Sequence, residues 1–185
     1  MIDEVLQDLS DSMGKAHEVL KRDLSKLRTG RAHPSMLDTV RVDYYGQATP
    51  VPQMATVSVP EPRLLVVKPW EKNQAQSIDK AIRESDLGLN PQLDGDVIRV
   101  PIPPLSEERR KELVKVAKKN GEECKVRIRH SRHEALDMLT EMKQSGDASE
   151  DEIDRAKKKA EDIVSQAVQH VDGIVQNKEK EILAV

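Results

Sequence analysis

All ten prolines of this 185-residue chain lie between Pro34 and Pro104. Proline has no amide hydrogen and its ring clashes with the preceding helical turn, which costs roughly 3 kcal/mol inside a helix. Residues 1–30 and 105–185 are therefore free to run as long helices, and the stretch between them is not. The three aromatic residues, Tyr44, Tyr45 and Trp70, fall in the same proline-bearing stretch. Composition thus changes twice, near Gly30 and near Leu105. The expected organisation is a discontinuous helical framework, 1–30 with 105–185, that carries an inserted domain over 31–104.

The flanking segments have helical periodicity. Ile2, Leu6, Leu9, Met13, Ala16, Leu20, Leu24 and Leu27 recur at steps of three or four, which puts them on one face. Thr29-Gly30 is expected to close this first helix, with Gly30 as a left-handed cap. The second helix starts near Ser106, with Glu107 and Glu108 favourable in its first turn. Leu113, Ala117, Cys124, Ile128, Ala135, Met138 and Met142 form its stripe, interrupted by Asn120 and Ser131. Ser145-Gly146-Asp147 breaks the chain. A third helix begins at Ser149, where Glu152 three residues on completes a capping box. Its stripe is Ile153, Ala156, Ala160, Ile163, Ala167, Val171, Ile174 and Ile182. Three amphipathic helices hide their stripes most simply as an elongated antiparallel three-helix bundle. At about 1.5 Å per residue the second helix alone runs roughly 60 Å. Gly14 and Gly173 read as close-packing or bending points within their helices.

The insert reads as a smaller β/α/β domain, which makes the fold class α+β. Val40, Val42 and Tyr44 alternate before a Tyr45-Gly46 turn. Thr56 to Val59 and Leu64 to Lys68 are short strand-like runs on either side of Pro60-Glu61-Pro62. Asn73 to Ser85 has helical spacing, with Ala75, Ile78, Ala81 and Ile82 inward. Val97 to Val100 is a last strand after a turn at Asp94-Gly95-Asp96. Two connections, 28–31 and 101–106, join insert to framework and read as a hinge. Glycine absorbs dihedral change and proline resists it. A swivel about a restricted axis and a fixed elbow are both compatible with such joints.

Several functional classes are poorly supplied. The lone Cys124 excludes an internal disulfide framework and lies on the apolar stripe, which favours a buried, inert thiol. No glycine-rich phosphate loop or nucleophile elbow is present. His130 and His133 share a helical face, but spacing signals no further metal ligand. No catalytic residue, metal site or cofactor is therefore expected. Few aromatics argue against a base-stacking platform. Tyr44-Tyr45-Gly46 reads either as a protein contact or as packing at a strand edge. No stretch suits a membrane span or a signal peptide.

The second helix reverses the sign of the chain. Thirty-three Asp and Glu against thirty Lys and Arg give a net charge of −3. Residues 106–133 nonetheless hold ten Lys and Arg against five Asp and Glu. Lys111, Lys115, Lys118, Lys125, Arg129 and Arg132 fall on one stripe, roughly opposite Leu113, Ala117 and Cys124. Arg110 lies on the shoulder, nearer the core. A row of cations along a straight rod suits the repeated phosphates of folded RNA or a duplex backbone. The alternative is a solvated face held by Glu–Lys pairs.

The motifs taken together carry a resemblance. Arg28-Thr29-Gly30-Arg31-Ala32-His33-Pro34 with Leu37-Asp38 and then Tyr44-Tyr45-Gly46 resembles the first signature of the ribosome recycling factor family. Asp86-Leu87-Gly88-Leu89-Asn90-Pro91 is similar to its second. Ile98-Arg99-Val100-Pro101-Ile102-Pro103-Pro104-Leu105 into Glu107-Glu108-Arg109-Arg110-Lys111 is similar to its third. Met36 stands where leucine is usual, a volume-conserving departure. The resemblance spans the whole chain. It implies an L-shaped cytoplasmic factor, a monomer with no membrane association. Its bundle would bind large-subunit ribosomal RNA at the subunit interface through Arg110, Arg129 and Arg132. Lys111, Lys115, Lys118 and Lys125 would add attraction. Its smaller domain would swing about Arg28, Thr29, Gly30, Arg31, Pro103, Pro104 and Leu105. Elongation factor G would supply GTP hydrolysis, and the post-termination ribosome would split and release messenger and transfer RNA. Rival readings are a helical scaffold that binds proteins along its rod, and an enzyme hidden in the insert.

Overall fold

A computed structural model describes residues 1–184, which divide into two compact units, 1–28 with 107–184, and 29–106. The larger unit consists of three helices: α1 (Ile2–Ser25), α3 (Glu107–Ser145) and α4 (Glu150–Leu183). They pack mutually, with the α3–α4 hairpin as the most extensive contact. The sequence places them there for plain reasons. Each carries one apolar stripe, and burying it against the other two stripes removes it from water. Leu9, Met13, Leu20 and Leu24 of α1, Leu113, Ala117 and Ile128 of α3, and Ile153, Ala160 and Val171 of α4 are all buried. Ser149 caps α4 through the expected capping box: its hydroxyl accepts from the Glu152 amide, and Glu152 returns to the Ser149 amide at 2.8 Å.

The stripes differ from expectation in detail. Helix α1 stops at Ser25 rather than at Thr29-Gly30, and Lys26 is its αR cap. Gly30 is left-handed at φ +77° but lies in the other unit, four residues beyond that cap. On α3, Gly121 and Leu139 are buried, while Met138 is half exposed and Met142 only partly covered. Leu139 replaces Met138 because 3.6 residues per turn does not divide seven, so the inward line drifts along a 39-residue helix; Gly121 lies at regular core spacing but offers no apolar side chain to mark it. On α4, Val164 is buried where Ile163 and Ile174 are only partly so. Gly14 and Gly173 have open space at the Cβ position and are not close-packing points. The close approach is at Gly121, where a Cβ would lie 2.7 Å from Val175 Cγ2.

The smaller unit contains two antiparallel sheets, one α-helix and three short 3-10 turns. A hairpin pairs β1 (Arg41–Tyr44) with β2 (Gln47–Pro50) across a two-residue turn, Tyr45 at φ +50° and Gly46 at φ +82°. Such a turn matches the right-handed twist of the flanking strands. The second sheet has the order β3-β4-β6-β5, from β3 (Ala55–Glu61), β4 (Leu64–Pro69), β5 (Gln92–Asp94) and β6 (Val97–Pro101). Helix α2 (Ala75–Arg83) packs Ile78 and Ile82 into a core with Leu37, Val42, Leu65, Val67, Ile98 and Val100. The expected β/α/β pattern is present, with β2 and β5 added as partners for their neighbours.

Candidate nucleic-acid interface

Each cation expected on the second helix is found on α3, but their surroundings differ. Lys115 and Arg129 are exposed and make no ion pair among the described residues. Lys111 is exposed and lies 3.8 Å from Glu107 on its own helix. The other three are held by α4. Lys118 Nζ is 3.9 Å from Glu179. Lys125 Nζ is 2.7 Å from Asp172 and 3.5 Å from Glu122. Arg132 donates from Nε at 3.0 Å and lies with Nη2 at 2.8 Å, both to Glu161 Oε1. The hydrogen bond to Asp172 raises the Lys125 ammonium's pKa above its ordinary value, against an opposing desolvation. That side chain is only 18% exposed.

Half of the stripe, Lys118, Lys125 and Arg132, therefore lies on the flank of α3 that faces α4 rather than opposite the core. The cause is geometric. Lys118, Lys125 and Arg132 are seven residues apart, and a straight α-helix drifts by about 20° per heptad. The drift carries the stripe toward α4. In an antiparallel hairpin, partner numbers fall as the first set rises, so Glu179, Asp172 and Glu161 meet the three cations in turn. The same-face spacing of these acids was present in the sequence, and only the hairpin geometry reveals what they meet. Lys119 and Arg127 are likewise exposed on α3 without ion pairs among the described residues. They lie off the stripe that the sequence spacing defines. Arg110 falls at core spacing, one turn before Leu113. It is partly buried, and its Nε is buried with no hydrogen-bond partner among the described residues.

The residues expected to form a hinge have a definite local setting. In the smaller unit, the Ala32 amide donates to the Pro62 carbonyl at 2.7 Å, and the Ile102 amide to the Arg63 carbonyl at 2.8 Å. The β3–β4 turn thus clamps both ends of the insert. Arg31, Gly30, Thr29 and Arg28 lie just before one clamp, and Pro103, Pro104 and Leu105 just after the other. Thr29 and Gly30 are buried. A Cβ on Gly30 would meet Leu105 Cγ at 3.2 Å.

Other candidates are structurally committed. Tyr44 and Tyr45 both donate their hydroxyls to Glu71, at 2.6 and 3.1 Å, and their rings meet edge to face at 4.6 Å. The hydrogen bond to Glu71 raises the Tyr44 phenol's pKa. Trp70, beside Glu71, is 65% exposed, and its indole donates to Thr56. Cys124 is buried, its thiol 3.5 Å from the Ala16 carbonyl, and burial pushes its pKa up. His130 and His133 pair with Glu134 and Asp137 along α3. Among the described residues no group of three or more His, Cys, Asp or Glu is placed to hold a metal ion. No helix among them is long and apolar enough to cross a membrane.

Comparison with known proteins agrees along the whole chain. A family model described as ribosome recycling factor matches residues 20–183. A ribosome-recycling factor from Sorangium cellulosum is 60% identical over 185 residues, all of both chains. One from Brevibacillus brevis is 51% identical over 181 residues, 98% of each. A solution structure of a ribosome recycling factor aligns with a TM-score of 0.70 at 38% identity, over 100% of this chain and 98% of that one. The T. thermophilus ribosome recycling factor, placed with E. coli elongation factor G on the E. coli post-termination complex, aligns with a TM-score of 0.62. It is 44% identical over 99% of each chain.

Proposed function

This chain belongs to the ribosome recycling factor family, and we infer that it is a non-catalytic translation factor that binds the post-termination ribosome at the subunit interface. With elongation factor G and GTP it splits that ribosome and frees messenger and transfer RNA. The observation that carries this reading is the 60% identity with a ribosome-recycling factor across the full length of both chains. GTP hydrolysis belongs to elongation factor G, and the site of action is the cytoplasm.

In this reading α3 is the RNA-binding face. Arg129 and Lys115, exposed and without ion pairs among the described residues, are its most available cations. Arg132 keeps donors beyond those given to Glu161, because a guanidinium carries five N–H groups. Arg110 contributes through the part of its guanidinium that is not buried, Lys111 adds attraction, and Lys118 and Lys125 add theirs where a phosphate displaces their α4 partners. The scaffold reading has less support, because α3 carries charge rather than a broad apolar face. The joint is formed by residues 28–31 and 103–105, which lie just outside the clamped ends of the insert. The two hydrogen bonds keep those ends side by side, so rotation is concentrated in the short segments beyond them.

The test is light scattering of purified post-termination ribosomes mixed with this protein, elongation factor G and GTP. Scattering should drop only when all three are present. Absence of a drop with a partner factor from a close relative would refute the reading. Arg132→Ala and Arg129→Ala should each weaken ribosome binding at moderate salt. A rigid crosslink across the joint should leave binding intact and stop splitting.

A further inference from the structure

The α3 cations differ in what they face. Lys115, Lys119, Arg127 and Arg129 make no ion pair among the described residues and Lys111 pairs within its own helix, whereas Lys118, Lys125 and Arg132 each face one α4 carboxylate. We infer that Glu161, Asp172 and Glu179 are specificity determinants that keep the α3 face from binding arbitrary polyanions. The inference rests on the reading of α3 as an RNA-binding face.

The physical argument is competition. A carboxylate in an ion pair with a cation occupies the place a phosphate would take. A phosphate must then displace the carboxylate or approach it against like-charge repulsion. Binding by generic backbone attraction alone is penalised three times over. Any polyanion can reach the exposed Arg129 and Lys115, but a folded RNA that fits the surface adds shape-matched contacts that offset the penalty, and a duplex offering only backbone phosphates has less to offset it. A purely structural role for the three pairs explains less. Arg132 and Glu161 are 43% and 47% exposed, and half-exposed ion pairs contribute little to stability; only the Lys125–Asp172 pair, with the lysine 18% exposed, is covered enough to brace the hairpin as well. Lys125 also lies 3.5 Å from Glu122 of its own helix, so the three cations meet four carboxylates and the seam offers a polyanion no net attraction.

The experiment compares the full chain with Glu161→Gln/Asp172→Asn/Glu179→Gln. Binding is measured to a 20-base-pair RNA duplex of arbitrary sequence and to ribosomes, each across a salt series. Each cation released to the duplex should steepen the slope of log affinity against log salt by about 0.9. The expected result is a slope steeper by two to three and duplex affinity at least tenfold higher at 0.1 M salt. Ribosome affinity should rise less, so the preference for ribosomes over duplex falls. Unchanged or weakened duplex binding would overturn the inference, as would an equal rise for both ligands. Glu161→Gln alone guards against misfolding of the triple variant. Its pair is half exposed, and it should steepen the duplex slope by close to one. A flat response there also overturns the inference. The underlying reading is tested separately by Lys115→Ala/Arg129→Ala, which should lower ribosome affinity. If it does not, α3 is not the RNA-binding face, whatever the duplex measurements give.

Discussion

Replacing Gly121 by alanine should loosen the contact between the two long helices, although alanine is the better helix former. Alanine in a helix interior is worth about 1 kcal/mol over glycine, which favours the variant. Against this, the new Cβ would lie 2.7 Å from Val175 Cγ2, where ordinary contact begins near 3.4 Å. The obstacle is a single methyl group, since Val175 Cβ and Val171 Cγ1 stand back at 3.8 and 3.9 Å. Rotating Val175 would clear the space, but a helical valine strongly prefers one χ1 well, and leaving it costs roughly 1 kcal/mol. Moving α3 away from α4 instead disturbs the buried neighbours Ala117, Cys124 and Val171, and overpacking of this kind costs about 1–3 kcal/mol. Subtracting the propensity gain leaves a net destabilisation of about 0–2 kcal/mol, so the gain expected of alanine does not appear. Urea unfolding followed by helical circular dichroism measures it. Gly121→Ala/Val175→Ala removes the obstructing methyl while keeping the better helix former. It should recover to within about 1 kcal/mol of the natural chain, since Val175 is only partly buried. A Gly121→Ala variant more stable than the natural chain by the full propensity gain of about 1 kcal/mol would refute the steric argument.

Gly30→Ala places a side chain at φ +77° against Leu105 and should cost about 1–2 kcal/mol in the smaller unit. Ribosome splitting, followed by light scattering, should slow at unchanged protein concentration. Ser149→Ala removes the α4 cap and should cost about 1 kcal/mol in thermal unfolding at neutral pH. The bonds from Ser149 hold the Glu152 carboxyl below its usual value. Its contribution is therefore complete above the ordinary glutamate pKa of about 4.3 and is lost as pH falls through the lower folded value. The gap between natural chain and variant should narrow there. Burial lowers the pKa of His17 on α1, against the hydrogen bond at the Ala167 carbonyl, and His170 and Lys21 push it the same way as burial. The unfolded chain then binds the proton more readily, so this contribution is full above the ordinary histidine value of about 6.5 and is lost as pH falls below it. Proton NMR titration should show His17 protonating later than a solvent-exposed histidine as pH is lowered.

The helices were legible because their apolar residues recur at a period no other element shares, and because prolines stop at Pro104 and start at Pro34. The end of α1 differs from the expectation for a local reason. Gly30 has the conformation of a helix cap but uses it to pass beside Leu105 in the smaller unit, and sequence cannot distinguish the two uses. Gly121 escaped notice because a glycine on an apolar face looks like an interruption until the facing valine is known. The cations of α3 were all visible. Which of them remain unpaired was not, because that depends on acids some 30 to 60 residues away brought alongside by the α3–α4 hairpin. Leu139 was missed because the inward line drifts along a helix this long.

The exposed indole of Trp70 has a practical consequence. It is the only tryptophan in the chain, and it sits in the unit that holds the least helix. Intrinsic fluorescence therefore reports on that unit, while far-ultraviolet ellipticity is dominated by α1, α3 and α4. The two signals form a built-in pair of probes. If the units melt independently, the two traces will separate without any label, and if they melt together, the traces will superimpose.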